Sequence, residues 1–98
     1  MPVVMEIVFQ GLSPEKYDQL KDKVGWVASP PIGGISHVVW WEGDACHGVD
    51  VWESEESWLA FGNDRMGPAA AELGIAMPAE PVFHDPHEVL IVKTAQHP

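Results

Sequence analysis

Ninety-eight residues with 46% hydrophobic content suffice for one domain and leave no room for a second independent core. Fifteen acidic against five basic side chains give a formal charge of −10, which opposes phosphate backbones and anionic lipid surfaces and so excludes nucleic acid and membranes as expected partners. A single cysteine, Cys46, rules out an internal disulfide and any multi-cysteine metal site. With no signal-peptide pattern at Met1 to Glu6 and no apolar run of bilayer length, the expected location is the cytoplasm.

From Val3 to Phe9 the residues Met5, Ile7 and Phe9 alternate with Val4, Glu6 and Val8, the period of a strand. Gly11 ends it, and Ser13-Pro14-Glu15 supplies an N-cap, a first-turn proline and a first-turn acid. Tyr17, Leu20 and Val24 then recur at helical spacing, so a helix to about Val24 is expected. Gly25 to Gly34, with Pro30-Pro31 and Gly33-Gly34, reads as a loop long enough to be a lid or an interface arm. Ile35 to Trp41 and Cys46 to Glu53 are β-branched and aromatic and flank the turn Glu42-Gly43-Asp44-Ala45, which predicts a hairpin. Ser54-Glu55-Glu56 repeats the helix-start signal, Trp58, Leu59 and Phe61 follow, and an end is expected near Gly67-Pro68. Ala69 to Leu73 can add a short turn closed by Gly74, and a last strand is expected from about Val82 to Val92. The domain spans 1–93, and 94–98, with His97, reads as a tail.

The order β-α-β-β-α-β, connected by right-handed crossovers, gives an α+β fold: a four-stranded antiparallel sheet with helices on one face. The other face, with Val4, Val8 and one register of the hairpin, is left bare, so a homodimer is expected to cover it. Val49-Asp50-Val51-Trp52-Glu53-Ser54 followed by Glu56, Trp58 and Phe61 resembles the strand-to-helix junction of small members of the dimeric α/β-barrel superfamily. That group includes antibiotic-biosynthesis-monooxygenase-like and stress-responsive barrel proteins. The resemblance covers nearly the whole chain and implies ferredoxin-like sheets that face each other as a barrel, with ligands between sheet and helices or inside the barrel. It spans oxygenases of aromatic polyketides that need no metal or flavin, cyclases, lactone isomerases and haem-handling proteins, and so bears on fold more than on function.

His37 and Asp50 lie inside the two hairpin strands among apolar neighbours. If Gly43-Asp44 forms a two-residue turn they sit opposite each other, and the carboxylate orients the imidazole as a general base; a one-residue slip dissolves the pair. In that register Trp41 and Trp52, with Trp26 and Phe83, wall a pocket for a flat, mostly apolar molecule, although aromatic packing explains each tryptophan equally. Glu6 can complete an acid/base pair with His37 or meet solvent. His84-Asp85-Pro86-His87-Glu88 is the densest set of metal-ligand types, but His84 and His87 converge only if Pro86 bends the strand; a polar, proline-broken edge accounts for it without metal. Cys46 and His47, as strand neighbours, point apart. The residues favour a cofactor-independent enzyme with His37 as base, Asp50 as its partner and a hydrophobic aromatic or polyketide-like small molecule as substrate. Oxygenation is preferred over cyclisation or isomerisation on the resemblance alone. A non-catalytic small-ligand or haem-binding barrel, and a metal-dependent enzyme using His84 and His87, remain the alternatives.

Overall fold

The computed structural model of the chain describes residues 1–78 and 80–92. Strand β1, Val3–Gln10, buries Val3, Met5, Ile7 and Phe9 and turns Val4, Glu6 and Val8 the other way, as its alternation requires. Helix α1, Pro14–Val24, starts where the Ser13 side chain accepts the Lys16 backbone N–H at 3.2 Å, and Glu15 in its first turn complements the helix dipole. It stops at Gly25, whose φ of 72° lets its N–H reach back to the carbonyls of Lys21 and Asp22. Leu20 and Val24 are the residues it buries.

Strands β2, Gly34–Glu42, and β3, Ala45–Trp52, form the hairpin. Gly43 takes a φ of 58° in the two-residue turn, a value that primed turns need and that glycine meets without steric cost. Helix α2, Glu55–Phe61, is capped by Ser54, whose hydroxyl accepts the Ser57 N–H at 3.1 Å. Two sequence expectations fail after this point. The helical path does not end near Gly67-Pro68: a π-helical turn, Gly62–Met66, carries it into α3, Gly67–Leu73. Pro68 falls in the first turn of α3, where its missing N–H disrupts little, and Gly74 closes that helix with a φ of 69°. Likewise the last strand, β4, covers only Val82–His84 rather than reaching Val92. Pro86 has no N–H to give a ladder, and the pairing to β1 stops at His84. The expected tail at 94–98 lies outside the described residues.

The sheet order is β2-β3-β1-β4, and every neighbouring pair is antiparallel. The inward face joins Met5, Ile7, Phe9, Cys46 and Trp52 to Leu20, Val24, Trp58 and Phe61 in one apolar cluster. Trp52 is fully buried and meets Trp26, Trp58 and Phe61 at ring-centroid distances of 5.6, 5.8 and 5.4 Å, separations at which aromatic pairs attract beyond area burial alone. On the opposite face Val38, Trp40 and Val82 remain 56, 40 and 54% exposed, with no helix over them among the described residues. Among the described residues no helix is long and apolar enough to cross a membrane.

Candidate functional site

The hairpin sets the geometry. Its tight turn pairs His37 with Asp50, and a bulge between Gly34 and Ser36 lies beyond them, so the register the sequence left conditional is the one formed. Both side chains face the helices. Asp50 is 3% exposed, and each carboxylate oxygen has a donor: His37 Nδ1 to Oδ1 at 2.6 Å, and Trp52 Nε1–H to Oδ2 at 3.0 Å. Indole nitrogen only donates and a carboxylate only accepts, so this arrangement places the His37 proton on Nδ1 and leaves Nε2 of the neutral ring with its lone pair free to accept. The tautomer required of a base is therefore written into the sheet.

What Nε2 meets comes from helix α1. The Tyr17 hydroxyl lies 2.7 Å from it and donates, and the two rings are nearly parallel, with 13° between their planes. Burial pushes the Tyr17 phenol up to about 12, with the negative charges of Cys46, Asp50 and Asp18 adding to the effect, so it stays protonated at neutral pH. Trp26 covers the other side of His37 at a centroid distance of 4.7 Å. Two small cavities of about 40 Å³ each adjoin this group, sharing Tyr17, Leu20, His37, Asp50 and Met66. Each has room for about one water, whereas sites for drug-sized ligands run to about 300 Å³ or more. A flat multi-ring molecule fits only if part of the wall moves.

Trp26 is the wall on a loop. Arg65, from the π-helical turn, donates from Nη1 to the carbonyls of Val24 at 3.1 Å and Ser29 at 2.5 Å, and so ties both ends of the Trp26 segment to the helical layer. The Gly33 carbonyl accepts the Glu53 N–H at 2.8 Å and fixes the far end of the connection. Residues 27–30 and 32 are exposed, Val27 at 74% and Ile32 at 89%, so between Trp26 and the buried Pro31 little apolar burial holds the loop.

Only Trp26 of the expected pocket walls lines either cavity. Trp52 lies under the site as a hydrogen-bond donor to Asp50 rather than beside a ligand. Trp41 braces Tyr17 edge-on at 5.7 Å while its indole donates to the Leu12 carbonyl at 2.7 Å. Phe83 packs on the core from β4 and lines neither cavity. Glu6 is on the bare face, where its carboxylate meets His84 Nε2 at 2.8 Å, because a mid-strand position next to Met5 must face away from His37. His87 lies beyond β4, and among the described residues no group of three or more histidine, cysteine or acidic side chains could hold a metal ion. Cys46 and His47 do point apart: burial raises the Cys46 thiol, and His47 stacks on Trp40 across the hairpin at 5.3 Å.

Helical spacing marks Tyr17 only as an apolar position, and no motif in the sequence marks Gly48 or Arg65. The signal for Tyr17 was a hydroxyl at the tip of a stripe otherwise filled by leucine and valine. For Gly48 it was a glycine inside a strand: a Cβ there would come within 3.2 Å of Ile7, and its bareness helps keep the cavity beneath His37 open.

No family model and no curated protein matches the chain. Solved structures do. A protein of Chloroflexus aurantiacus J-10-fl that carries the name of an antibiotic biosynthesis monooxygenase is 23% identical, with a TM-score of 0.65 over 95% of this chain and 100% of that one. One of Caulobacter crescentus CB15 with the same name is 15% identical, with a TM-score of 0.56 over 85% of each chain. A monooxygenase of Streptomyces coelicolor, in complex with nanaomycin D, is 19% identical, with a TM-score of 0.53 over 94% of this chain and 91% of that one. At these identities the likeness concerns architecture: the chain has the ferredoxin-like fold of the antibiotic-biosynthesis-monooxygenase-like proteins.

Proposed function

We propose that this chain is a small enzyme that needs no organic cofactor and removes a proton from a hydrophobic aromatic or polyketide-like molecule bound between the sheet and the helices, most readily as the first step of an oxygenation. The supporting observation is the His37–Asp50 pair: a buried carboxylate fixes the imidazole proton on Nδ1 and aims the Nε2 lone pair at the cavity side. The ligand's acidic C–H or O–H bond breaks, its proton passes to Nε2, and the electron pair stays on the ligand as an enolate or phenolate. An electron-rich anion of that kind is the species that can react with oxygen: a methylene becomes a carbonyl as one oxygen atom is retained and the other leaves as water. The Streptomyces coelicolor neighbour is in complex with nanaomycin D, which supports a small-molecule ligand for this fold.

The same reading takes the protein to be a homodimer joined across the bare sheet face. The depression of about 310 Å³ there, with Val8, Trp40 and Val49 in its lining, becomes the barrel interior rather than the reaction site. Among the described residues its one lining imidazole, His47, is tied to Glu42 at 3.0 Å and lies flat on Trp40, and the nearby His84 is paired at the surface with Glu6 at 2.8 Å.

The test is anthrone, a three-ring ketone with an acidic methylene, supplied with oxygen and no added flavin or metal. Oxygen uptake matched by quinone absorbance is the expected result. Binding without turnover across a panel of such ketones points instead to a ligand carrier, and absence of both removes the reading. Entry of the probe depends on the Trp26 loop. Arg65→Ala removes two charge-assisted hydrogen bonds, each worth about 1.5–3 kcal/mol, so association in stopped-flow fluorescence is expected to quicken by about tenfold or more. An unchanged rate would show that the wall opens elsewhere.

A further inference from the structure

Among the described residues Tyr17 is the one hydrogen-bond partner of Nε2, and a base whose lone pair is already engaged cannot take a proton from anything else. Its hydroxyl, 2.7 Å from Nε2, occupies the position that an incoming acidic hydrogen needs. The ring is not free to swing away. Trp41 holds its edge, anchored through Leu12, and the ring lines both cavities beside His37. A ligand that takes Nε2 therefore leaves the Tyr17 O–H close by, without a partner, in a half-buried site where an unsatisfied donor is costly.

We propose that Tyr17 is a second catalytic residue: its hydroxyl caps His37 Nε2 in the empty protein and, once a ligand has taken that nitrogen, donates to the ligand oxygen on which negative charge collects. This rests on the base reading of His37. When the ligand's O–H or C–H bond breaks, its proton goes to Nε2, the electron pair settles on oxygen, and Tyr17 keeps its own proton. A phenol held up near 12 by burial suits that role, because it gives a hydrogen bond without surrendering the proton. The ligand class narrows accordingly to phenols and enolisable ketones, whose one oxygen can face both Nε2 and the tyrosine hydroxyl.

The experiment uses 2-naphthol, whose neutral and ionised forms differ in absorbance, titrated against native protein, Tyr17→Phe and His37→Gln. Phenylalanine keeps the ring that packs on His37 and Trp41, and near-ultraviolet circular dichroism checks that the aromatic cluster persists. In native protein the bound naphthol should ionise at a lower pH than in water. Tyr17→Phe should move that point up by about one to two pH units, the worth of one hydrogen bond to a charged oxygen. Binding of the neutral form should hold or tighten, because the competing cap is gone; a merely structural tyrosine would weaken both forms together. Ionisation at the native pH in Tyr17→Phe overturns the role of Tyr17 alone. Ionisation at the native pH in His37→Gln, or no binding of naphthol to the native protein, overturns the base reading and this inference with it.

Discussion

Replacing Asp50 with asparagine is expected to lower turnover by about 10²–10⁴-fold, the range a positioned base supplies, with little loss of stability. The reason lies in the donor count. Two N–H groups converge on the Asp50 carboxylate, one from Trp52 and one from His37. Asparagine offers one acceptor oxygen and one donor NH₂ in nearly the same shape. If its oxygen serves Trp52, whose indole can only donate, its NH₂ faces His37 Nδ1, and that nitrogen must give up its proton. The proton moves to Nε2 and the lone pair facing the cavity disappears. The reverse orientation sets an NH₂ against the indole N–H and leaves a buried donor unsatisfied, at a cost of about 1–3 kcal/mol, so the first arrangement prevails. The same substitution in serine-protease triads preserves geometry and loses activity through the wrong tautomer. Long-range proton–nitrogen NMR of the His37 ring reads the tautomer directly, and anthrone-dependent oxygen uptake reads its consequence. Native turnover in Asp50→Asn would show that His37 is not the base. Asp50→Ala is the less informative variant, since it strands two donors in the core.

The fold was legible because local signals and tertiary demands agree over most of the chain. Ser13 and Ser54 each cap the helix they precede, Gly25 and Gly74 end helices in the left-handed region, and the alternation in β1 matches its buried face. Gly43-Asp44 fixed the hairpin register, and with it the meeting of His37 and Asp50. Sequence failed where a residue's effect depends on neighbours distant in the chain. Pro68 looked like a stop, but a π-helical turn delivers it to a first helical turn that tolerates it. The hairpin register puts Trp41 and Trp52, with Phe83, around a pocket, yet none of the three lines either cavity. Whether an aromatic ring walls a cavity, braces a neighbour or fills the core is decided by packing across elements, and no periodicity reports that. Tyr17 was hidden for a related reason: helical spacing placed its ring against the sheet but could not say that its hydroxyl reaches a histidine twenty residues on. The likeness to solved structures fills none of these gaps, since it fixes architecture and leaves each side chain's role to its own contacts.

Replacing Val38 with aspartate is expected to convert the proposed homodimer into a folded monomer. Val38 sits in β2 opposite Val49 and is 56% exposed in the single chain, so a carboxylate there meets water and leaves the protomer's core untouched. In a two-fold interface the change occurs twice, and each buried carboxylate without a cation costs several kcal/mol. Every 1.4 kcal/mol is tenfold, so the dimer dissociation constant should rise by about 10³-fold or more. Acidity sharpens the effect, because Glu6 and Glu42 already lie on or beside this face and the chain carries a net charge of −10. Sedimentation at micromolar concentration should give twice the 10.8 kDa chain mass for the native protein and a single chain for Val38→Asp, with unchanged circular dichroism. A native protein that sediments as one chain sinks the homodimer. The variant also separates two ligand sites. His37, Tyr17 and Trp26 all belong to one protomer and lie under its helices, so monomeric Val38→Asp should still bind and ionise 2-naphthol as the native protein does. If ionisation vanishes while the fold persists, the ligand lies inside the barrel between the two sheets, and the imidazole beneath the helices is not where the chemistry happens.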